Sequence, residues 1–125
     1  MTTGAWIAFL VAAAVGAPLR YLVDGFVQDR TDGAFPWGTF IVNISGCLAL
    51  GLLTGLGLYH GLSGTTRAVI GTGGLGAYTT FSTFSFETVR LAEEGATTDA
   101  VRNVIGSFVV GLAAASAGLA LAAVL

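Results

Sequence analysis

The sequence contains no lysine. Its five basic residues are all arginine, set against seven acids in 125 residues. A formal charge of −2 and no basic cluster leave nothing to track a phosphate backbone, so no nucleic acid is expected as a partner. The single cysteine, Cys47, excludes an intramolecular disulfide and reads as a small packing residue in an apolar run. The single histidine, His60, ends another apolar run. Neither a metal cluster nor a nucleophile–base pair can be built around it, and no enzyme is expected. No Lys or Arg precedes the first apolar run, so it is expected to be retained despite the small residues Ala12–Ala14 that a cleavable signal would need. Charge of either sign is scarce, at 10% of residues, where soluble domains carry about 25%.

What the chain has instead is apolar surface and glycine. Hydrophobic residues make up 54% and there are 19 glycines; mean hydropathy is +0.84. These values imply an all-α integral membrane protein, with residues 1–125 forming one transmembrane domain. About 20 apolar residues cross a bilayer core as helix. The first span is expected from Gly4 to Val27, with Pro18 kinking its second half. A polar loop follows from Gln28 to Pro36. Pro36 and Trp37 open a second span that ends near Tyr59 or His60, Pro36 suiting a first helical turn. After a turn at Gly61–Thr66, a third span begins near Thr65, uncharged between Arg67 and Glu87. A loop at Glu93–Asp99, with Thr98 as the expected N-cap, leads to a fourth span from Asp99 to Val124.

Four spans put both termini on one side. Trp6 and Trp37 start spans at opposite headgroup levels. The arginines fix no orientation: Arg30 and Arg102 fall on one side, Arg67 on the other, so insertion either way round is expected. Gly51 and Gly55 form a GxxxG pair, and Ser107 and Gly111 repeat the small-residue spacing. Such pairs let helix backbones approach closely, either within the chain or between two copies.

The third span is the anomaly. Gly71-Thr72-Gly73-Gly74-Leu75-Gly76 matches a dinucleotide fingerprint in letters, but no strand precedes it and it lies inside a span. Each glycine costs about 1 kcal/mol in a helix interior relative to alanine. Four in six residues predict an unwound stretch in this run, with helix resuming near Thr79. Freed backbone groups at membrane depth are tolerated only in protein or against a wet cavity, where carbonyls can hold a cation.

Beyond the break, Phe81 and Phe84 share a helix face, Thr80, Thr83 and Glu87 another, Ser82 and Ser85 a third. The two Phe rings either pack apolar neighbours or turn their positive edges to an anion path. Asn43 either ties helices together or offers two N–H donors to an anion. Arg20 either snorkels or sets a positive vestibule. Glu87 either pairs with Arg90 or guards an aqueous mouth.

The run Gly73-Gly74-Leu75-Gly76-Ala77-Tyr78-Thr79-Thr80-Phe81-Ser82-Thr83-Phe84-Ser85-Phe86-Glu87 closely resembles the third-helix signature of the Fluc/CrcB fluoride channels. Gly38-Thr39 followed by Asn43-Ile44-Ser45-Gly46 resembles their second-helix motif, and Gly16-Ala17 with Arg20-Tyr21 their first. The resemblance covers the whole chain. It implies a plasma-membrane channel that exports cytoplasmic fluoride passively, as an antiparallel dual-topology homodimer with two pores. It implies a fluoride path through Asn43, Phe81, Phe84, Ser82, Thr83, Ser107 and Glu87, with Arg20 at a vestibule. It implies a central structural sodium ion held by the carbonyls of Gly76 and Thr79. Asn103 departs from the family, which often has tyrosine early in the fourth helix.

Two other classes compete. A small multidrug-resistance-type exporter needs a carboxylate deep in the first span, where the only acid is Asp24, near the end. A membrane structural protein would explain the small-residue pairs but not the ordered Thr, Ser and Phe of the third span.

Overall fold

The computed structural model describes residues 1–125 and is entirely helical. Helix α1 (Thr3–Gln28) starts where the Thr2 hydroxyl accepts the Ala5 N–H at 3.2 Å, and it runs without interruption through Pro18. Helix α2 (Trp37–Tyr59) begins one residue later than expected for Pro36, which takes the N-cap position; its carbonyl accepts the Phe40 N–H at 3.0 Å. Helix α2 ends at Gly61, whose φ of 69° turns the chain so that the Leu62 N–H reaches Leu56 O at 3.2 Å.

The third segment is assembled from pieces. A four-residue helix α3 (Gly64–Arg67), capped by Ser63, runs into a π-helical stretch (Ala68–Leu75) and a last α turn, α4 (Gly76–Tyr78). Two extended residues follow, and then helix α5 (Phe81–Glu93). Helix α5 stops in a Schellman motif: Ala96 N–H bonds Leu91 O at 2.8 Å and Gly95 N–H bonds Ala92 O at 3.2 Å, with Gly95 at φ 80°. Helix α6 (Thr97–Val124) begins at once, with Ala96 and not Thr98 as its N-cap. The turn that ends α5 already commits Ala96, so Thr98 falls inside the first helical turn.

The break therefore lies three residues beyond the glycine run. Gly71, Gly73 and Gly74 stay helical in the wider π register and Gly76 in the α turn, and the run serves close approach at Gly71 and Gly73. A Cβ at Gly73 would stand 2.9 Å from Phe9 O, and a Cβ at Gly16 of α1 would collide with Gly74 O. Phe9 meets Gly73, Gly16 meets Gly74, and Arg20 meets Thr79, so α1 and the third segment run parallel.

Helix α2 packs along α6 through small residues. Added side-chain carbon would strike Ala115 O at Gly51, Ala122 and Leu119 at Gly55, and Leu48 O and Leu52 N at Gly118. Gly111 faces Cys47 at 3.4 Å. Gly51, Gly55 and Gly111 are thus used for close packing within the chain. Contacts advance together along both helices, so α2 and α6 are also parallel. His60 Nε2 meets Ala122 O at 2.8 Å and ties their ends.

Three helices, α1, α2 and α6, are long and apolar enough to cross a membrane. Only 19 of 125 residues are buried, among them Val42, Leu53, Leu91 and Ala122. Many large apolar side chains, Trp6, Leu10, Ile105 and Phe108 among them, point outward, as expected of a multi-pass membrane protein whose outer faces meet lipid.

Candidate functional site

The site grows from the two residues that leave the helix. Thr79 (φ −83°, ψ 163°) and Thr80 (φ −148°, ψ 119°) are extended between α4 and α5. In a continuous helix the Thr80 N–H would bond Gly76 O, and the Thr83 N–H would bond Thr79 O. Here Thr80 N–H donates to Asn43 Oδ1 at 2.8 Å, and Asn43 Nδ2 donates to Thr80 O at 2.9 Å. One side-chain amide on α2 mimics a peptide partner and satisfies both backbone groups of Thr80. Thr83 N–H donates to Thr80 Oγ1 at 3.1 Å, capping α5. One N–H of Asn43 is thus committed to structure and one remains for the cavity.

Neighbouring side chains brace the break. Thr79 Oγ1 donates to Leu75 O at 2.9 Å, and Tyr78 Oη meets Ser45 Oγ at 2.9 Å. Gly46 leaves room for the Thr79 methyl. Arg20 Nη1 donates to Thr79 O at 3.1 Å. Helix α1 thus delivers the half-buried Arg20 guanidinium to the break.

An open cavity of about 530 Å³ lies beside the break. Of the residues expected in the site, it brings together Asn43, Phe81, Phe84, Ser107, Gly76 and Thr79. Thr80, Cys47 and Phe108 also line it. The rings of Phe81 and Phe84 stand 5.8 Å apart at 41°, and Phe81 is 80% exposed. Ser82 and Thr83 do not line it: their hydroxyls gather on Thr80 Oγ1 at 3.3 and 3.0 Å. Glu87 lies outside as well. Its Oε1 accepts from Thr39 Oγ1 at 3.1 Å and its buried Oε2 has no partner. Arg90 pairs with Glu94 at 3.9 Å and not with Glu87.

Behind Ser107 runs a directed chain of hydrogen bonds. Ser107 Oγ donates to Asn103 Oδ1 at 3.5 Å, Asn103 Nδ2 to Thr88 Oγ1 at 2.9 Å, and Thr88 Oγ1 to Phe84 O at 2.8 Å. Asn103 is only 1% exposed, so its amide needs these partners. It is therefore a strut between α5 and α6. Asn103 stood out in the sequence only as a departure, and nothing in the pattern marked Thr88. Thr39 was within reach, since it precedes Asn43 by one helical turn on the same face.

A multi-pass helical membrane protein with a clamped helix break beside a polar-and-aromatic cavity belongs to the class that handles small solutes within the bilayer. The chain belongs to the family described as CrcB-like protein, Camphor Resistance (CrcB), which it matches over residues 7–119. It is 52% identical over 114 residues to "Fluoride-specific ion channel FluC 1" of Streptomyces avermitilis, covering 91% of this chain and 92% of that one. It is 48% identical over 122 residues to the protein of the same name from Frankia casuarinae, covering 94% and 95%. A third such protein, from Leifsonia xyli, is 42% identical over 119 residues, covering 95% of this chain and 87% of its own.

Proposed function

We propose that this protein is a fluoride-selective channel that lets cytoplasmic fluoride leave the cell by passive electrodiffusion. The observation that carries this is the cavity at the break, where one free amide N–H of Asn43, the Ser107 hydroxyl and the rings of Phe81 and Phe84 converge. Near-full-length likeness to proteins named fluoride-specific channels supplies the ion. Fluoride gives up hydration only where donors replace it. The Asn43 N–H and the positive ring edges offer that replacement without a full charge that would trap the ion. Ser82, Thr83 and Glu87 remain expected members of the path, beyond the cavity.

We infer four crossings. The parallel runs of α1 with the third segment and of α2 with α6 support this: between α2 and α6 the chain must return once, through α3–α5. The weak arginine bias and the large outward apolar surface support an antiparallel dual-topology homodimer with two paths. The implied sodium fits the chain in part. Gly76 O lacks its helical partner and Gly76 carries no side chain, while Thr79 O has one lone pair left beside Arg20. Two copies would supply two such carbonyl pairs. A sodium ion there would offset the carbonyl ends and add positive potential for an anion.

The test is ion efflux from liposomes holding the purified protein. Fluoride should leave rapidly, chloride should stay, and the rate should be unaltered by a sodium gradient. Flux proportional to that gradient would contradict a structural sodium. Equal chloride flux would contradict the selectivity. The rival exporter finds no support: Asp24 lies against Gly38 at the end of α1, away from the cavity.

A further inference from the structure

We propose that Arg20 is the resident cation of the helix break and holds down its affinity for sodium. The proposal rests on the sodium reading above and concerns a residue outside the carbonyl pair. The break frees two carbonyls, Gly76 O and Thr79 O, because Asn43 takes the Thr80 N–H and Thr80 Oγ1 takes the Thr83 N–H. Gly76 O keeps its lone pairs. Thr79 O receives the guanidinium of Arg20 at 3.1 Å, from a residue 59 positions away in the chain. The chain's two ion pairs are Arg90–Glu94 and Arg102–Asp99, each at 3.9 Å, so no carboxylate within salt-bridge distance neutralises Arg20.

Two effects then act in one direction. The donated N–H occupies one of the two lone pairs of the Thr79 carbonyl and competes with an ion for that oxygen. The positive charge, paired with no carboxylate at salt-bridge distance although Asp24 follows one turn on, repels a second cation at the same oxygen. Arg20 is thus a positioning residue with a cost to the ion: it holds the extended Thr79 in place and at the same time makes the carbonyl pair a weaker sodium site.

The measurement is sodium-dependent thermal stabilisation of the full-length protein in detergent, at constant ionic strength, with potassium as control. Arg20→Gln keeps an N–H donor and removes the charge. It should reach half-maximal stabilisation at about tenfold lower sodium or less, the scale of one unit charge acting across such a site. An unchanged or higher sodium requirement in a folded variant overturns the proposal and leaves the sodium site standing. No sodium-specific effect on either protein overturns both. Should Arg20→Gln not fold, Arg20→His allows the charge to be switched by pH inside one protein. Sodium should bind that variant more tightly at alkaline than at acidic pH, by more than any change in the unsubstituted protein. Equal pH responses overturn the proposal.

Discussion

Asn43 carries the largest share of the site for a single residue. Its amide donates and accepts at one peptide, so no shorter or purely apolar side chain can replace it. Losing both bonds leaves two backbone groups of Thr80, an 8%-exposed residue, without partners. Net hydrogen bonds contribute about 1 kcal/mol each, and a stranded buried group costs about 1–3 kcal/mol more. Asn43→Ala should therefore lower stability by about 2–4 kcal/mol, read as a drop in the thermal midpoint in detergent. A midpoint equal to that of the unsubstituted protein would show that the break holds without the clamp. The sequence marked Asn43 as either helix glue or anion donor, and the structure gives it the first role while leaving one N–H for the second. That division was not legible from one sequence, because it depends on which backbone group α5 leaves open opposite α2.

At the scale of elements, glycine has two roles that composition does not separate. Four glycines in six residues predicted unwinding, yet that run stays helical against α1, and the chain opens at two threonines. Close packing outweighs propensity, because each missing side chain lets another backbone in. The expected spans matched α1, α2 and α6 within a residue or two, since long apolar runs and terminal glycines are local signals. The break depended on a partner 37 residues away, which no local signal reports. Two substitutions separate the roles. Gly118→Ala puts a carbon against the backbone of Leu48 and Leu52 and should destabilise by about 1–3 kcal/mol. Gly25→Ala meets nothing within 4 Å and should stabilise α1 by up to about 1 kcal/mol. Equal thermal midpoints for the two variants would contradict the glycine-mediated α2–α6 contact.

For the whole molecule, small interior and scarce charge act together. The chain buries few residues, and its cavity stays open on one side. A second copy would close it. Insertion in both orientations is testable by cysteine tags at the two ends of a chain lacking Cys47, with a membrane-impermeant thiol reagent. Each tag should be labelled from both sides of the membrane in about equal share. Labelling of each tag from one side only would contradict dual topology.

The cavity beside the break is the proposed path of fluoride. Fluoride efflux from liposomes should be measured for the unsubstituted protein and for Phe84→Ile, which keeps an apolar side chain and loses the ring edge. Phe84 lines the cavity without taking part in the clamp, so the variant should fold, with a thermal midpoint close to that of the unsubstituted protein. A conducting cavity predicts rapid efflux that falls at least about tenfold in Phe84→Ile, roughly the 1.4 kcal/mol scale of a lost ring contact. Unchanged efflux in the folded variant would contradict the claim and place the fluoride path elsewhere.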